Sequence, residues 1–338
     1  MKKILLKWVP VVIFTAITIF FTISIADACT EFKLSYDGQP IIGHNFDWAN
    51  PYAFIVINPV GIKRRSGSMD SHFKPLEWVS KYGSATINLA GPDHRVMPQA
   101  VVSGLNQFGL SASILWLESA QYPSGSTQTV LGTSQWVQYF LDNAKTVTEA
   151  IELARHVEVE PTLFHGQKIL AHLMIHDASG ASAVIEYLNG KLNIYYQKDL
   201  PVPVLTNTPY LESTQLLKQY HGFGKDTSLP GGYFTKARFV LAANFLKNLP
   251  TSHSTQQAVA SAFNGLGYLI ETPGSSDPTV WSVVYDLSNR ILYYRTIDNQ
   301  QIRLVHLDHF NLAKGQPVRI MSMTNDFIGE VENHFSIH

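Results

Sequence analysis

"CTEFKLSYDGQPIIGHNFDW", residues 29–48, is the stretch on which the reading of this chain turns. Two alternating apolar/polar runs, "CTEFKLSY" and "PIIGHNFDW", flank Asp37-Gly38. An Asp-Gly pair accepts the positive φ angles of a two-residue hairpin turn, so the stretch predicts a β-hairpin with Cys29 at one end. Cys29 is the only cysteine in 338 residues. No internal disulfide and no cysteine-based zinc site can therefore form.

What precedes the hairpin gives that cysteine its interest. Lys2, Lys3 and Lys7 make a basic start, Val9 to Ile25 is an apolar run interrupted by Pro10, and Ala26-Asp27-Ala28 is a small-x-small site. These are the parts of a secretory signal, predicting residues 1–28 as a leader and 29–338 as the mature domain, periplasmic or secreted. The apolar run is long for a signal, so an uncleaved anchor is a second reading, and lipidation of Cys29 a third. Ala26 three residues before the cysteine and Asp27 beside it fit the lipidated form poorly. After cleavage no stable membrane association is expected.

The remainder has an ordinary globular composition, with 45% apolar and 15% charged residues and a net charge of −1. No basic surplus points to nucleic acid and no acidic tail is present. Beyond the hairpin, "AFIVINP" (53–59), "ATINLA", "AVVSGL" and "LSASILWL" (110–117) read as strands, and residues 61–82 as an irregular surface excursion. Apolar spacing predicts helices over 133–144 and 146–157, the second opened by a Thr146/Glu149 capping box. Strands return in "ILAHLMIHDA", "ASAVIEYL" and "KLNIYY", separated by Ser-Gly and Asn-Gly turns, and "VLTNTPY" closes that section. Residues 235–248 and 254–266 read as helices, and "VWSVVYDLSNRILYYRTID" as a hairpin through Ser288-Asn289. Strands in blocks with helices in blocks between them predict layered sheets covered by helices.

If the chain is cut after Ala28, Cys29 carries a thiol and a free α-amine on one residue. An α-amine titrates at about 7.7–8.0, so part of it is unprotonated at neutral pH and can take the thiol proton directly or through a water. That is the chemistry of an N-terminal nucleophile: thiolate attack on an amide carbonyl, an acyl-enzyme, then hydrolysis. Acyl transfer also needs donors for the oxyanion. Asn207 in "VLTNTP" is a candidate, and Asp47 on the second strand is a candidate holder of the α-ammonium. Any strand end can carry Asn or Asp, so these two rest lightly on spacing. His172 and His176 have a metal-like spacing but lie in an alternating strand with no convergent carboxylates, so a structural role is the stronger reading and no metal or cofactor is expected.

The order of motifs resembles the choloylglycine hydrolase family, which contains penicillin V acylases and bile salt hydrolases. The matching stretches are "CTEF", "GHNFDW" (43–48), "GLNQFGLSASILWL" (104–117), "HDASGASAVIEY" (176–187), "LTNTP" (205–209), "TKARF" (235–239) and "VWSVVYDLSNRILYYRT" (280–296). The resemblance implies an α+β, four-layer αββα sandwich of the N-terminal nucleophile hydrolase type. It also implies hydrolysis of linear amide bonds in small N-acyl substrates, and a homotetramer. By position, Cys29 matches the nucleophile, Asp47 the acid at its amine, Asn207 the oxyanion amide and Arg238 the site arginine. Trp116 falls at the second oxyanion position, where its backbone N–H acts. Bile salt hydrolases usually have Asn there. Tryptophan within "ILWLESAQYP" resembles the Gram-negative penicillin V acylase-like branch, with N-acyl homoserine lactones as conceivable natural substrates and Trp48 and Trp116 lining the acyl pocket.

One departure stands out. The family usually has arginine three residues before the acid, and this chain has His44. Arginine is always charged, whereas histidine is neutral or charged near neutrality, so the change implies weaker or pH-dependent support of the thiolate. The alternatives are a bile salt hydrolase, or a weak or inactive membrane-tethered binding protein on the same fold. For Trp48 and Trp116 the competing reading is core packing, for Arg238 a structural ion pair, and for His44 a hydrogen-bonded strand histidine.

Overall fold

The computed structural model of the protein describes residues 29–338 except 68–73, 124–128, 165 and 273. The expected leader lies outside the described residues. The hairpin at 30–47 forms as its sequence dictates: strands Thr30–Tyr36 and Gln39–Asp47 pair antiparallel, with Glu31 opposite His44 and Tyr36 opposite Gln39. Asp37 and Gly38 take φ of 47° and 76° at the turn, the left-handed pair that a two-residue hairpin requires.

Among the described residues this hairpin sits in a seven-stranded sheet. From edge to edge its strands are Val204–Leu205, Thr30–Tyr36, Gln39–Asp47, Thr279–Asp286, Ile291–Thr296, Arg303–His306 and Gly329–Glu330. A nine-stranded sheet lies against it, with the order Lys191–Tyr196, Ser182–Leu188, Ala171–His176, Ser111–Trp116, Val96–Asn106, Ser84–Ala90, Ala53–Asn58, Arg319–Ser322 and Ser336–Ile337. Helices α1 (Trp136–Asn143) and α2 (Val147–His156) cover the outer face of the larger sheet. Helices α4 (Thr235–Lys247) and α5 (Thr255–Tyr268) cover that of the smaller. The layers are thus helix, sheet, sheet, helix: an α+β sandwich. Its central strands are buried on both faces and read as nearly unbroken apolar runs, as in "TVWSVVYD" at 279–286.

Small residues set the spacing of the layers. A Cβ on Gly104 would stand 2.5 Å from the Ala85 carbonyl oxygen and 2.9 Å from Leu141 of α1. A Cβ on Gly43 would meet the Phe32 ring at 2.9 Å and Leu266 of α5 at 3.3 Å. Phe32 is fully buried there, which contributes roughly 1.5–3 kcal/mol. Thr146 caps α2 by accepting the Glu149 N–H, while the Glu149 carboxylate takes the N–H of Lys145, one residue before the cap. The reciprocal arm of the expected capping box is therefore shifted by one residue.

Two stretches differ from the sequence expectation. Within 61–82, Lys63–Arg65 and Glu77–Val79 pair antiparallel, and Arg64 is anchored to the buried Asp142 at 2.8 Å. A helix not expected from periodicity, α3 (Tyr210–Leu217), follows Pro209 directly. Only Tyr210, Ser213 and Leu217 of it are buried, a stripe too sparse to stand out as an amphipathic pattern.

Candidate active site

Alternation along the hairpin sorts its side chains onto two faces. Thr30, Asn45 and Asp47 face the helices: Arg238 of α4 donates to Thr30 Oγ1 at 2.6 Å, and Asn45 Nδ2 donates to the Leu266 carbonyl at 2.9 Å. Cys29, Glu31, His44 and Phe46 face the second sheet. Cys29 is 4% exposed and forms part of the wall of a cleft. Phe46, Trp48, Leu89, Val102, Ile114, Trp116 and Ile169 give that cleft a mostly apolar wall, with Lys168 among the lining residues. The Trp48 and Trp116 rings lie 6.4 Å apart, tilted by 41°.

Around Cys29 the polar groups converge from distant parts of the chain. Asp47 ends the second hairpin strand, is fully buried, accepts from Thr279 Oγ1, and lies 3.3 Å from Arg238 Nη1. Arg238, also buried, donates through Nε to the Tyr233 carbonyl at 2.7 Å, which fixes its guanidinium at the turn entering α4. Asn207 follows the strand Val204–Leu205. Its backbone N–H donates to Thr235 Oγ1 at 2.7 Å and its Nδ2 to the Trp116 carbonyl at 2.9 Å. The Asn207 amide and the Trp116 backbone are therefore locked together beside the thiol.

The electrostatics of this cluster are those of a site that needs a base. Burial, and after it the Asp47 carboxylate, pushes the Cys29 thiol up to about 12, while backbone hydrogen bonds from Asp47 and Trp116 and the Arg238 charge act in the opposite direction. Burial likewise pushes Asp47 up to about 7 against the pull of Arg238 and the Thr279 hydroxyl. At neutral pH the thiol in this setting holds its proton, and a nucleophile must lose it as it attacks.

His44 is placed differently from the other candidates. Like Asn207 and Arg238 it does not line the cleft, but it makes no hydrogen bond into the Asp47–Arg238 or Asn207–Trp116 pairs; it sits between the sheets with its ring edge-on to Trp281 at 5.5 Å. Its Nδ1 lies 3.3 Å from Glu31 Oε2, without the alignment of a hydrogen bond. The other Glu31 oxygen is 3.1 Å from His176 Nε2, and His176 Nδ1 is 2.8 Å from Ser182 Oγ. Burial pushes Glu31 up to about 8 and His44 down to about 3, and lowers His176 as well. A Glu31 carboxyl raised in this way donates to His176 Nε2, and His176 Nδ1–H donates to Ser182 Oγ. Glu31 is the polar residue that sequence reasoning missed. Its one available signal was an acid on the inward face of "CTEF". His172 is held by Glu186 at 3.1 Å and by the Thr206 carbonyl at 2.7 Å, so the two strand histidines point to separate partners.

Comparison with known proteins settles what kind of fold carries this site. The family model for linear amide C–N hydrolases, choloylglycine hydrolase family, matches residues 29–322, beginning at Cys29. The chain belongs to that family. It is 29% identical over 356 residues to a penicillin V acylase of Pectobacterium atrosepticum, covering 95% of this chain and 92% of that one. A bile salt hydrolase/transferase of Clostridium perfringens is 26% identical over 326 residues, covering 84% of this chain and 94% of that one. The fold is shared with the penicillin V acylase of Agrobacterium tumefaciens, at TM-score 0.79 and 24% identity over 92% of this chain and 98% of that chain. It is shared also with a conjugated bile acid hydrolase of Clostridium perfringens, at TM-score 0.72 and 23% identity over 90% and 99%. The αββα sandwich is thus the fold of these acylases and bile acid hydrolases, and the family is one of linear amide C–N hydrolases.

Proposed function

We propose that this family member is an exported amidase of the penicillin V acylase type, in which Cys29, released as the first residue by cleavage after Ala28, is the nucleophile. The observation that carries the proposal is the position of Cys29 in the wall of an apolar cleft, with Asp47 and Arg238 on one side and the Asn207–Trp116 pair beside it. Cleavage supplies what the buried thiol lacks: an amine on the same residue that takes its proton during attack. Asp47 holds the resulting ammonium, and Arg238 holds Asp47 through a buried ion pair. As the carbonyl becomes tetrahedral, its oxygen takes hydrogen bonds from the Asn207 side chain and the Trp116 N–H. The ammonium protonates the leaving nitrogen, the amine departs, and a water activated by the same α-amine hydrolyses the thioester.

The cleft favours an acyl group that is aromatic or aliphatic and uncharged. Phe46, Leu89, Ile114 and the Trp48/Trp116 pair offer ring and methyl contacts, and desolvating a charged acyl tail against them would be costly. Phenoxyacetyl amides and N-acyl homoserine lactones meet that description. Trp116 at the oxyanion position separates this chain from the Asn expected of bile salt hydrolases, which is the ground for ranking that activity second.

The test compares mature protein and Cys29→Ala on penicillin V, N-acyl homoserine lactones and glycocholate. The proposal expects Cys29-dependent hydrolysis of one of the first two in preference to glycocholate. Preference for glycocholate would establish the bile salt reading. Failure of properly processed protein on all three would point to a binding protein on the same fold.

A further inference from the structure

The cysteine count and the His172/His176 pair predict no metal; the fold brings together a different set of ligands. His306 closes the strand Arg303–His306, His309 ends the short 3-10 turn that follows, and Glu332 opens another near the C-terminus. Pairing of Arg303 with Gly329 and of Leu304 with Glu330 draws these segments together. One ligand atom from each of the three residues lies within 4.8 Å of the other two. His306 Nδ1 is 2.8 Å and His309 Nδ1 3.4 Å from the same Glu332 oxygen, and the two imidazoles stack with centroids 4.4 Å apart.

The arrangement is held in place rather than assembled by chance on a mobile surface. The His306 backbone N–H donates to that Glu332 oxygen at 2.7 Å, fixing the carboxylate. Side-chain exposure is 22% for His306 and 13% for Glu332, with His309 at the rim at 54%. That oxygen already serves two donors of His306, and His309 reaches it within ion-pair distance without a hydrogen bond of its own. A shared cation would satisfy both imidazoles at once.

The spacing can be checked against a metal. Ligand bonds of about 2.0–2.2 Å in tetrahedral geometry place ligand atoms about 3.3–3.5 Å apart. The His309–Glu332 separation of 3.4 Å already meets this; the 2.8 Å pair must open by roughly half an ångström, and the stacked imidazoles must turn about χ2 so that their in-plane lone pairs converge on one point. Two imidazoles and a carboxylate are a zinc-type donor set that leaves a fourth position for water. A cleft lined by His309, Asn311, Gln316, Glu330, Glu332 and Asn333 gives that position access to solvent. Arg319 lines the same cleft, while Asp308 beside the histidines is paired with Arg290.

We propose that His306, His309 and Glu332 form a binding site for a Zn²⁺-type divalent cation that fastens the C-terminal segment to the strand Arg303–His306. The site is separate from the cleft at Cys29 and does not depend on the reaction proposed there.

The experiment strips the mature protein with chelator, adds Zn²⁺, and measures retained metal and affinity by competition with a chromophoric chelator, with thermal melting alongside. Because Cys29 could itself bind zinc through its sulfur and α-amine, Cys29→Ala is measured in parallel. The expected result is one equivalent of Zn²⁺ on wild type and on Cys29→Ala, with a zinc-dependent rise in melting temperature. His309→Ala and Glu332→Gln, the latter keeping an acceptor for the His306 N–H, should each weaken binding roughly tenfold or more and lose the melting shift. The proposal is overturned if wild type retains no zinc, if the two variants bind as wild type does, or if binding disappears in Cys29→Ala.

Discussion

Replacing Asn207 by alanine separates catalytic from structural work at one position. The Asn207 side chain donates to the Trp116 carbonyl at 2.9 Å, and its own Oδ1, buried, has no hydrogen-bond partner among the described residues. The loss in folding stability is therefore that of one donor to the Trp116 carbonyl, about 1–3 kcal/mol. Removal of the orphaned carbonyl oxygen offsets part of that. The kinetic loss is of another size. An oxyanion donor contributes about 100- to 1,000-fold in kcat, or about 2.7–4 kcal/mol of transition-state stabilisation. Steady-state hydrolysis of penicillin V, with chemical denaturation of the same samples, gives both quantities. The expected outcome is a fall in kcat of at least about a hundredfold with KM little changed and stability lowered by less than about 3 kcal/mol. A kcat within about tenfold of wild type in a folded variant would show that Asn207 does not serve the oxyanion, and the geometry at Trp116 would need another explanation.

Three further outcomes follow from the same structure. Glu31, with its carboxyl raised to about 8 by burial, contributes stability that is complete below its unfolded value of 4.5 and declines as pH rises toward 8. Glu31→Gln keeps a donor for His176 but cannot ionise, so it should remove this share of the alkaline decline between pH 6.5 and 8 in melts; equal slopes in the two proteins would contradict a protonated Glu31. His44, lowered to about 3 by burial, contributes in the opposite sense: its stability is complete above 6.5 and is lost as pH falls through 3. The wild-type acid limb below pH 4.5 should therefore flatten in His44→Gln. Gly104→Ala would place a methyl 2.5 Å from the Ala85 carbonyl and should destabilise by about 1–3 kcal/mol in urea titration without altering substrate preference.

How much of this was legible in the sequence depended on distance along the chain. The hairpin at 29–48 was readable because alternation and an Asp-Gly turn are local signals, and the turn angles at Asp37 and Gly38 are those the pair permits. The layered architecture followed from strands and helices arriving in blocks. Cys29, Asp47, Asn207, Arg238, Trp48 and Trp116 could be singled out by motif position, and the fold gathers them around one cleft or one ion pair. The Glu31–His176 contact was not legible, since the two are 145 positions apart and meet only when the sheets stack. The His306, His309 and Glu332 cluster was hidden for the same reason: it depends on a parallel two-residue pairing at a sheet edge, which leaves no periodic trace. Helix α3 was lost to a stripe of three buried residues.

The proposed mechanism stands on Cys29 being both first residue and attacker, and one mass measurement reads both. Intact protein purified from exporting cells is weighed before and after brief exposure to a slowly turned-over phenoxyacetyl amide. The account predicts a chain beginning at unmodified Cys29, then the same chain carrying one acyl group that peptide mapping places on Cys29 and that Cys29→Ala lacks. Hydrolytically active protein that retains residues before Cys29, or that acquires its acyl group elsewhere, would contradict it.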